Sequence, residues 1–343
     1  MSAAMLGVIP PEQARPIAWH RLVWVSWRRH RGSLLGVAAV VAAVGVYLFV
    51  SGIQVRSAYD HATSCRPQNS LACRMDWLNF HNSYSSGGVL RVVYVVLPLL
   101  IGAFIGAPII GRELESGTFR FVWTQGVGRM RWAIAMIASG AIATAILSGA
   151  FGLLVTWHDS PLWQADIVPH WQAGEFSATG IAVVGWGLLA YAVALIVGLL
   201  ARRVVPAIGV ALAAGIGIAA LAAQLRQHYL PPLKTTSLNF VSGSNQISQW
   251  WQKGDVHVGQ SALDKVLKAA GLPSMQQPGQ SSAAGQHATD PTTYLTHHGY
   301  ELWTSYQPSG RFWLFQWIEF GWLFVLVAIL VAVTFMLLRR RDA

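Results

Sequence analysis

The sequence predicts an all-α polytopic membrane protein with six transmembrane helices. Three observations predict it. The chain is 54% hydrophobic and 11% charged, whereas about a quarter of the residues of a soluble domain are charged. Apolar runs long enough to cross a bilayer, which takes about 20 residues, recur along the chain. The basic residues flank those runs instead of gathering in one groove-tracking patch. The formal charge of +10 therefore reads as anchoring to anionic lipid and not as nucleic-acid binding.

Residues 1–32 form the first element. From Glu12 to Arg31 the chain turns amphipathic, with Trp19, Val23 and Trp27 at four-residue spacing among Arg21, Arg28, Arg29 and Arg31. Such a helix lies in the headgroup plane. It serves either as an elbow feeding span one or as plain topological anchoring. No basic region followed by an apolar core and a small-residue cleavage site is present, so no cleaved signal peptide is expected. Span one covers 33–53, and the arginines before it put the N-terminus in the cytoplasm. The loop over 54–87 is then external. Its two cysteines, Cys65 and Cys73, lie close together on the oxidising side, as a disulfide pair or as two thiols.

Span two, 88–110, carries Pro98 and Pro108 with Gly102 and Gly106 four residues apart. Small residues at that spacing permit close helix packing. A polar and basic island follows at 111–132, and its Arg112, Arg120, Arg129 and Arg131 place it in the cytoplasm. It is too aromatic for a loose linker, because Phe119, Phe121 and Trp123 need something to pack on. A short helix across the membrane surface, presented to a partner, is expected there.

Span three covers 133–156. A basic-free loop, 157–177, leads to span four at about 178–200. Arg202 and Arg203 make a tight cytoplasmic turn, and span five, 204–224, is rich in Ala and Gly. The segment 225–311 is a long external loop with aromatic clusters and a short amphipathic stretch at 263–270. Span six covers 312–338 and ends on Arg339, Arg340 and Arg341. Glu319 lies inside it. A carboxylate there is costly unless paired or hydrated, so it is either a residue of the transport pathway or an interfacial acid reaching external water.

The island resembles the first cytoplasmic loop of ABC-2-type transporter permeases, particularly actinobacterial ones. Those permeases carry Arg-Glu-x-Glu-x-Gly-Thr after their second span, and here Arg112, Glu113, Leu114, Glu115, Ser116, Gly117 and Thr118 match it. Trp123, Thr124 and Gln125 follow, and the His-Tyr-Leu-Pro-Pro at 228–232 after span five is also similar. The resemblance implies a coupling helix at 111–132 seated on a separate ATP-hydrolysing subunit. It also implies two permeases with two ATPases, ATP and magnesium bound by the partner, and export at the plasma membrane with both termini cytoplasmic. In that setting Glu113 and Glu115 offer carboxylates to the ATPase, and Arg112 faces lipid phosphate or an acidic partner. Gly117 permits the turn that ends the first helical segment, Thr118 belongs to the same coupling surface, and Phe119, Phe121 and Trp123 fill a cleft.

The chain contains no phosphate-binding loop, zinc-protease or nucleophile-elbow motif. No catalytic residue, cofactor or metal site is expected in this chain. The apolar, small-residue spans favour a hydrophobic or amphipathic cargo. The competing classes place function in the external segment. One is a membrane-anchored enzyme using Asp255, His257, Asp264 and Glu301. The other is a ligand-binding sensor.

Overall fold

The computed structural model describes residues 18–340 except 69, 86–87, 116–128, 237–242 and 275–290. Among the described residues, six helices are long and apolar enough to cross a membrane. They are α1 (Trp19–Ser64), α3 (Gly88–Glu115), α4 (Arg129–Gln164), α6 (Ala182–Ala201), α7 (Val204–Leu225) and α10 (Phe312–Arg340). Two short helices, α2 (Leu71–Tyr84) and α5 (Ala173–Ala178), lie between them. With six such helices joined in succession, the described chain returns to the end of the bundle at which it starts. One end of the bundle therefore bears the described ends of the chain, Ala18 and Arg340, and is called the end that bears the termini; the other bears α2, α5 and an inserted domain.

The inner pair of the bundle is α3 and α6, and small residues let them touch. A Cβ on Gly102 would overlap the Gly187 carbonyl oxygen and lie 2.7 Å from the Tyr191 nitrogen. A Cβ on Gly106 would lie 2.5 Å from the Tyr191 oxygen. The four-residue glycine spacing thus serves packing within one chain. Although α3 contains Pro98 and Pro108, it stays continuous. Pro108 has no N–H for the carbonyl of Phe104 four residues earlier. Ser33 of α1 supplies the missing donor, its Oγ lying 2.8 Å from that carbonyl oxygen. A hydroxyl re-satisfying a freed carbonyl is how prolines persist in spans.

Two helices exceed the expected spans by the widest margin. α1 has 46 residues and α4 has 36. The expected break at residue 32, between a surface-lying elbow and span one, is absent, because α1 runs through it. Nothing local interrupts the helix, and contacts on both sides of residue 32 fasten it to its neighbours. His158 and Asp159, expected in a loop, lie inside α4 instead.

The expected proximity of Cys65 and Cys73 is realised as a disulfide joining the end of α1 to the first turn of α2. Ser70 caps α2 by accepting the Cys73 N–H at 3.2 Å. Phe80 of α2 packs with Val55, Leu162, Ile167 and Val168 in a satellite core. Replacing Cys73 by serine should destabilise this tip by about 2–3 kcal/mol, given the short loop closed. Limited proteolysis should then cut between 64 and 71 in the variant and spare the wild type. Equal resistance of the two would show that packing alone holds the tip.

The segment between α7 and α10 departs from the all-helical expectation. It folds as a small α/β domain with a four-stranded antiparallel sheet in the order β1-β4-β2-β3. The strands are β1 (Leu233–Thr235), β2 (Asn245–Lys253), β3 (Val256–Val258) and β4 (Tyr300–Gln307). Helices α8 (Gln260–Ala269) and α9 (Pro291–His297) cover one face. Leu263, Leu267 and Leu295 pack there on Trp251, Tyr300 and Leu302. The amphipathic stretch read at 263–270 overlaps α8, starting three residues late and ending one residue past it. The His-Tyr-Leu-Pro-Pro stretch anchors the domain, since Gln307 Nε2 donates to the Leu230 carbonyl at 2.7 Å and Arg311 Nη1 to the Pro231 carbonyl at 2.9 Å.

Candidate functional site

At the end of the bundle that bears the termini, α3 and α4 form the two legs of the polar island. The last turn of α3 carries Arg112, Glu113 and Glu115. Helical geometry turns them in different directions, and their exposure differs accordingly: Arg112 and Glu115 are exposed, Glu113 is buried. The Arg29 guanidinium of α1 meets Glu113, with Nε 2.8 Å from Oε1. Glu113, expected to offer its carboxylate to a partner, is engaged within the chain, where it holds α1 against α3. The remaining expected contact residues, Gly117, Thr118, Phe119, Phe121 and Trp123, lie outside the described residues, as does the helix expected across the membrane surface.

The N-terminal part of α1 braces both legs. Ser26 shares a 2.7 Å hydrogen bond with Ser139 of α4. The Arg131 guanidinium at the start of α4 sits 5.0 Å from the centre of the Trp19 ring, a favourable cation–aromatic contact. Gly111, where the island begins, lies against Gly198 and Val204 at the α6–α7 turn. That turn is the expected tight one. Arg202 adopts a left-handed conformation at φ 53° and its N–H closes on the Gly198 carbonyl. The island thus leaves the bundle from a frame tied to α1, α6 and α7.

Glu319 is not the interfacial acid that one reading of it expected. It is 0% exposed and reaches no water. Arg226, just after α7, donates Nε to Oε2 at 3.0 Å and Nη2 to Oε1 at 3.1 Å. Trp186 Nε1 of α6 donates to Oε1 at 3.0 Å. The Arg226 guanidinium also covers the Phe176 ring at 3.8 Å. A two-pronged pair with an added indole donor meets the condition under which a buried carboxylate is tolerable. Gln316, three residues before Glu319 and on the same face of α10, was missed by the sequence reading. Its Oε1 accepts the Ala182 N–H at 2.9 Å and its Nε2 donates to the Phe176 carbonyl at 2.8 Å. The two side chains together fasten α10 to the α5–α6 turn. The polar residue pair three apart in an otherwise apolar span was the available signal.

The four acids and histidines proposed for an enzyme do not assemble. His257 and Glu301 both flank Gln252 in register, one on each side. They are therefore two strand spacings apart, about 10 Å, beyond hydrogen-bond reach. Asp264 belongs to α8, which packs on the opposite face, and Asp255 lies in the β2–β3 turn. Among the described residues, no group of three His, Cys, Asp or Glu side chains is placed to hold a metal.

A family model described as ABC-2 membrane transporter related matches residues 38–226. No curated protein matches, and no solved structure matches. The matched stretch includes the Arg112–Thr118 motif and ends at Arg226, while the inserted domain and α10 lie beyond it.

Proposed function

Because the chain belongs to the ABC-2 membrane transporter related family, we propose that it is the transmembrane permease subunit of an ATP-driven exporter. The polar island seats on a separate ATPase that binds ATP and magnesium, and two permeases assemble with two ATPases. The observation that carries this reading is the frame around the island. Arg112 and Glu115 are presented outward while Glu113 and Arg29 lock the base of the same turn. Force applied to the island would pass into α1, α3 and α4 together.

Charge supports a reading of which end faces the cytoplasm. Arg28, Arg31, Arg112, Arg131, Arg202, Arg203, Arg339 and Arg340 all lie at the end that bears the termini. That bias supports a cytoplasmic location for this end and insertion in the plasma membrane. The inserted domain then stands outside. The apolar bundle surfaces support a hydrophobic or amphipathic cargo.

The test is affinity purification from the native cells in mild detergent, with mass spectrometry of retained proteins. The wild type should retain a soluble ATPase with a phosphate-binding loop. Glu115→Arg should lower retention about tenfold, as expected when an interface charge is reversed. Glu113→Arg should lower it too, and Arg29→Glu added to it should restore it, because that pair works inside the chain. Absence of any ATPase from folded wild-type chain would overturn the exporter reading.

A further inference from the structure

At the end of the bundle opposite the termini, helices α1 to α5 surround a cavity of ≈ 630 Å³. A volume of that order suits a drug-sized molecule. Its wall carries two carboxylates that the coupling frame and the Glu319 node do not use. Asp159 of α4 and Glu175 of α5 are each 2% exposed. His158 Nδ1 lies 2.5 Å from Asp159 Oδ1, and the Tyr94 hydroxyl is 3.5 Å from the same nitrogen. Of the remaining oxygens, Asp159 Oδ2 and Glu175 Oε2 are buried without a donor at hydrogen-bonding geometry, and Glu175 faces Asp159 and Trp163. Buried polar atoms are rarely left so.

We propose that this cavity binds the ammonium group of an organic cation, held between Asp159 and Glu175. An alkylammonium has three donors and no acceptor, so one group satisfies both oxygens. Tyr47, Tyr84 and Tyr94 also line the cavity and offer ring surface to the body of the ligand and to its charge. The absence of a metal-holding triad among the described residues favours an organic cation over a divalent ion. Arg91 of α3 lines the cavity as well, but it is only half-buried. Water on its guanidinium weakens its opposing field. Arg56 of α1 is turned away, toward the Trp157 carbonyl and Ser160 Oγ.

Binding is linked to a proton. Burial, and then the Asp159 carboxylate beside it, raise the Glu175 carboxyl above its ordinary range, against the smaller opposing effect of Arg91. In the empty cavity Glu175 therefore carries a proton at neutral pH, the one donor the pair can share. An arriving ammonium displaces it. Affinity for a permanently charged ligand therefore rises with pH as Glu175 ionises more readily. None of this requires the ATPase, so the site stands or falls separately from the exporter reading.

The experiment is calorimetric titration of the purified full chain in detergent with tyramine, and with 4-ethylphenol as its uncharged counterpart. It is run in several buffers between about pH 6 and 8, where an alkylammonium stays charged. Tyramine should bind about tenfold or more tightly than 4-ethylphenol, releasing up to one proton. Asp159→Asn should weaken tyramine about tenfold, the expected loss of a hydrogen bond to a charged group. Glu175→Gln should bind without proton release or pH dependence, and Arg91→Gln should bind more tightly than wild type. No preference for the charged probe, or unchanged binding in an Asp159→Asn chain that elutes like wild type, overturns the proposal. Should Asp159→Asn fail to fold, absent proton release in wild type together with unchanged affinity in Arg91→Gln overturns it equally.

Discussion

Glu319→Ala should unfold the chain more readily than any other single truncation in α10. The substitution leaves the Arg226 guanidinium, 4% exposed, without its counter-charge, and strands the Trp186 N–H. Breaking one side of a buried pair costs about 3–5 kcal/mol, a large share of the roughly 5–15 kcal/mol that holds a domain together. Replacing both partners, as Arg226→Met with Glu319→Met, should cost far less, because no charge is then left in the interior. Thermal unfolding in detergent, followed by tryptophan fluorescence, separates the two cases. A single variant that melts with wild type would mean that water reaches the pair. A double variant as damaged as the single one would mean that the contacts are geometric and not electrostatic.

Gly102→Leu should be nearly as severe. The new side chain must enter space held by the backbone of α6, at Gly187 and Tyr191. Backbone cannot swing aside as a side chain can, so the inner pair must separate. Overpacking of a close-packed interior costs about 1–3 kcal/mol, and more where backbone is the obstacle. Gly209→Leu on α7 is the control, since a Cβ there meets nothing within 4 Å. The control should keep wild-type yield and melting temperature, while Gly102→Leu should lose most of its folded yield. Equal behaviour of the two would show that the α3–α6 approach is not maintained in detergent.

The six spans were legible because hydropathy is a one-dimensional property. The bounds of span five agree with α7 to within a residue, and span six starts where α10 starts. The glycine spacing in α3 and the pairing of Cys65 with Cys73 were legible because both are local. What was missed depends on contacts between distant segments. Arg226 and Glu319 are 93 residues apart, so the acid looked solitary in its span. Glu113 and Glu115 look alike in the sequence, and only the continuation of α3 turns one of them inward. The sheet was missed because β2, with Gln246, Ser248 and Gln252 among its tryptophans, offers few of the apolar alternations that mark a strand. In β4 the buried Tyr300, Leu302 and Thr304 do alternate, but the run reads first as a cluster of aromatics.

The uninterrupted length of α1 has a mechanical consequence. At 1.5 Å per residue its 46 residues make a spar of about 69 Å, more than twice the roughly 30 Å hydrocarbon thickness. It is gripped near one tip by Ser26 and Arg29, and toward the other by Arg56 on the backbone of α4. Between these grips, Gly45 and Gly52 let it ride directly on Leu154 and Trp157 of α4. A stiff bar fastened to one neighbour near both tips and along its middle cannot rock on that neighbour. The two helices make a single strut, so a push at the tip nearest the island is carried, with its direction kept, to the disulfide-clipped tip.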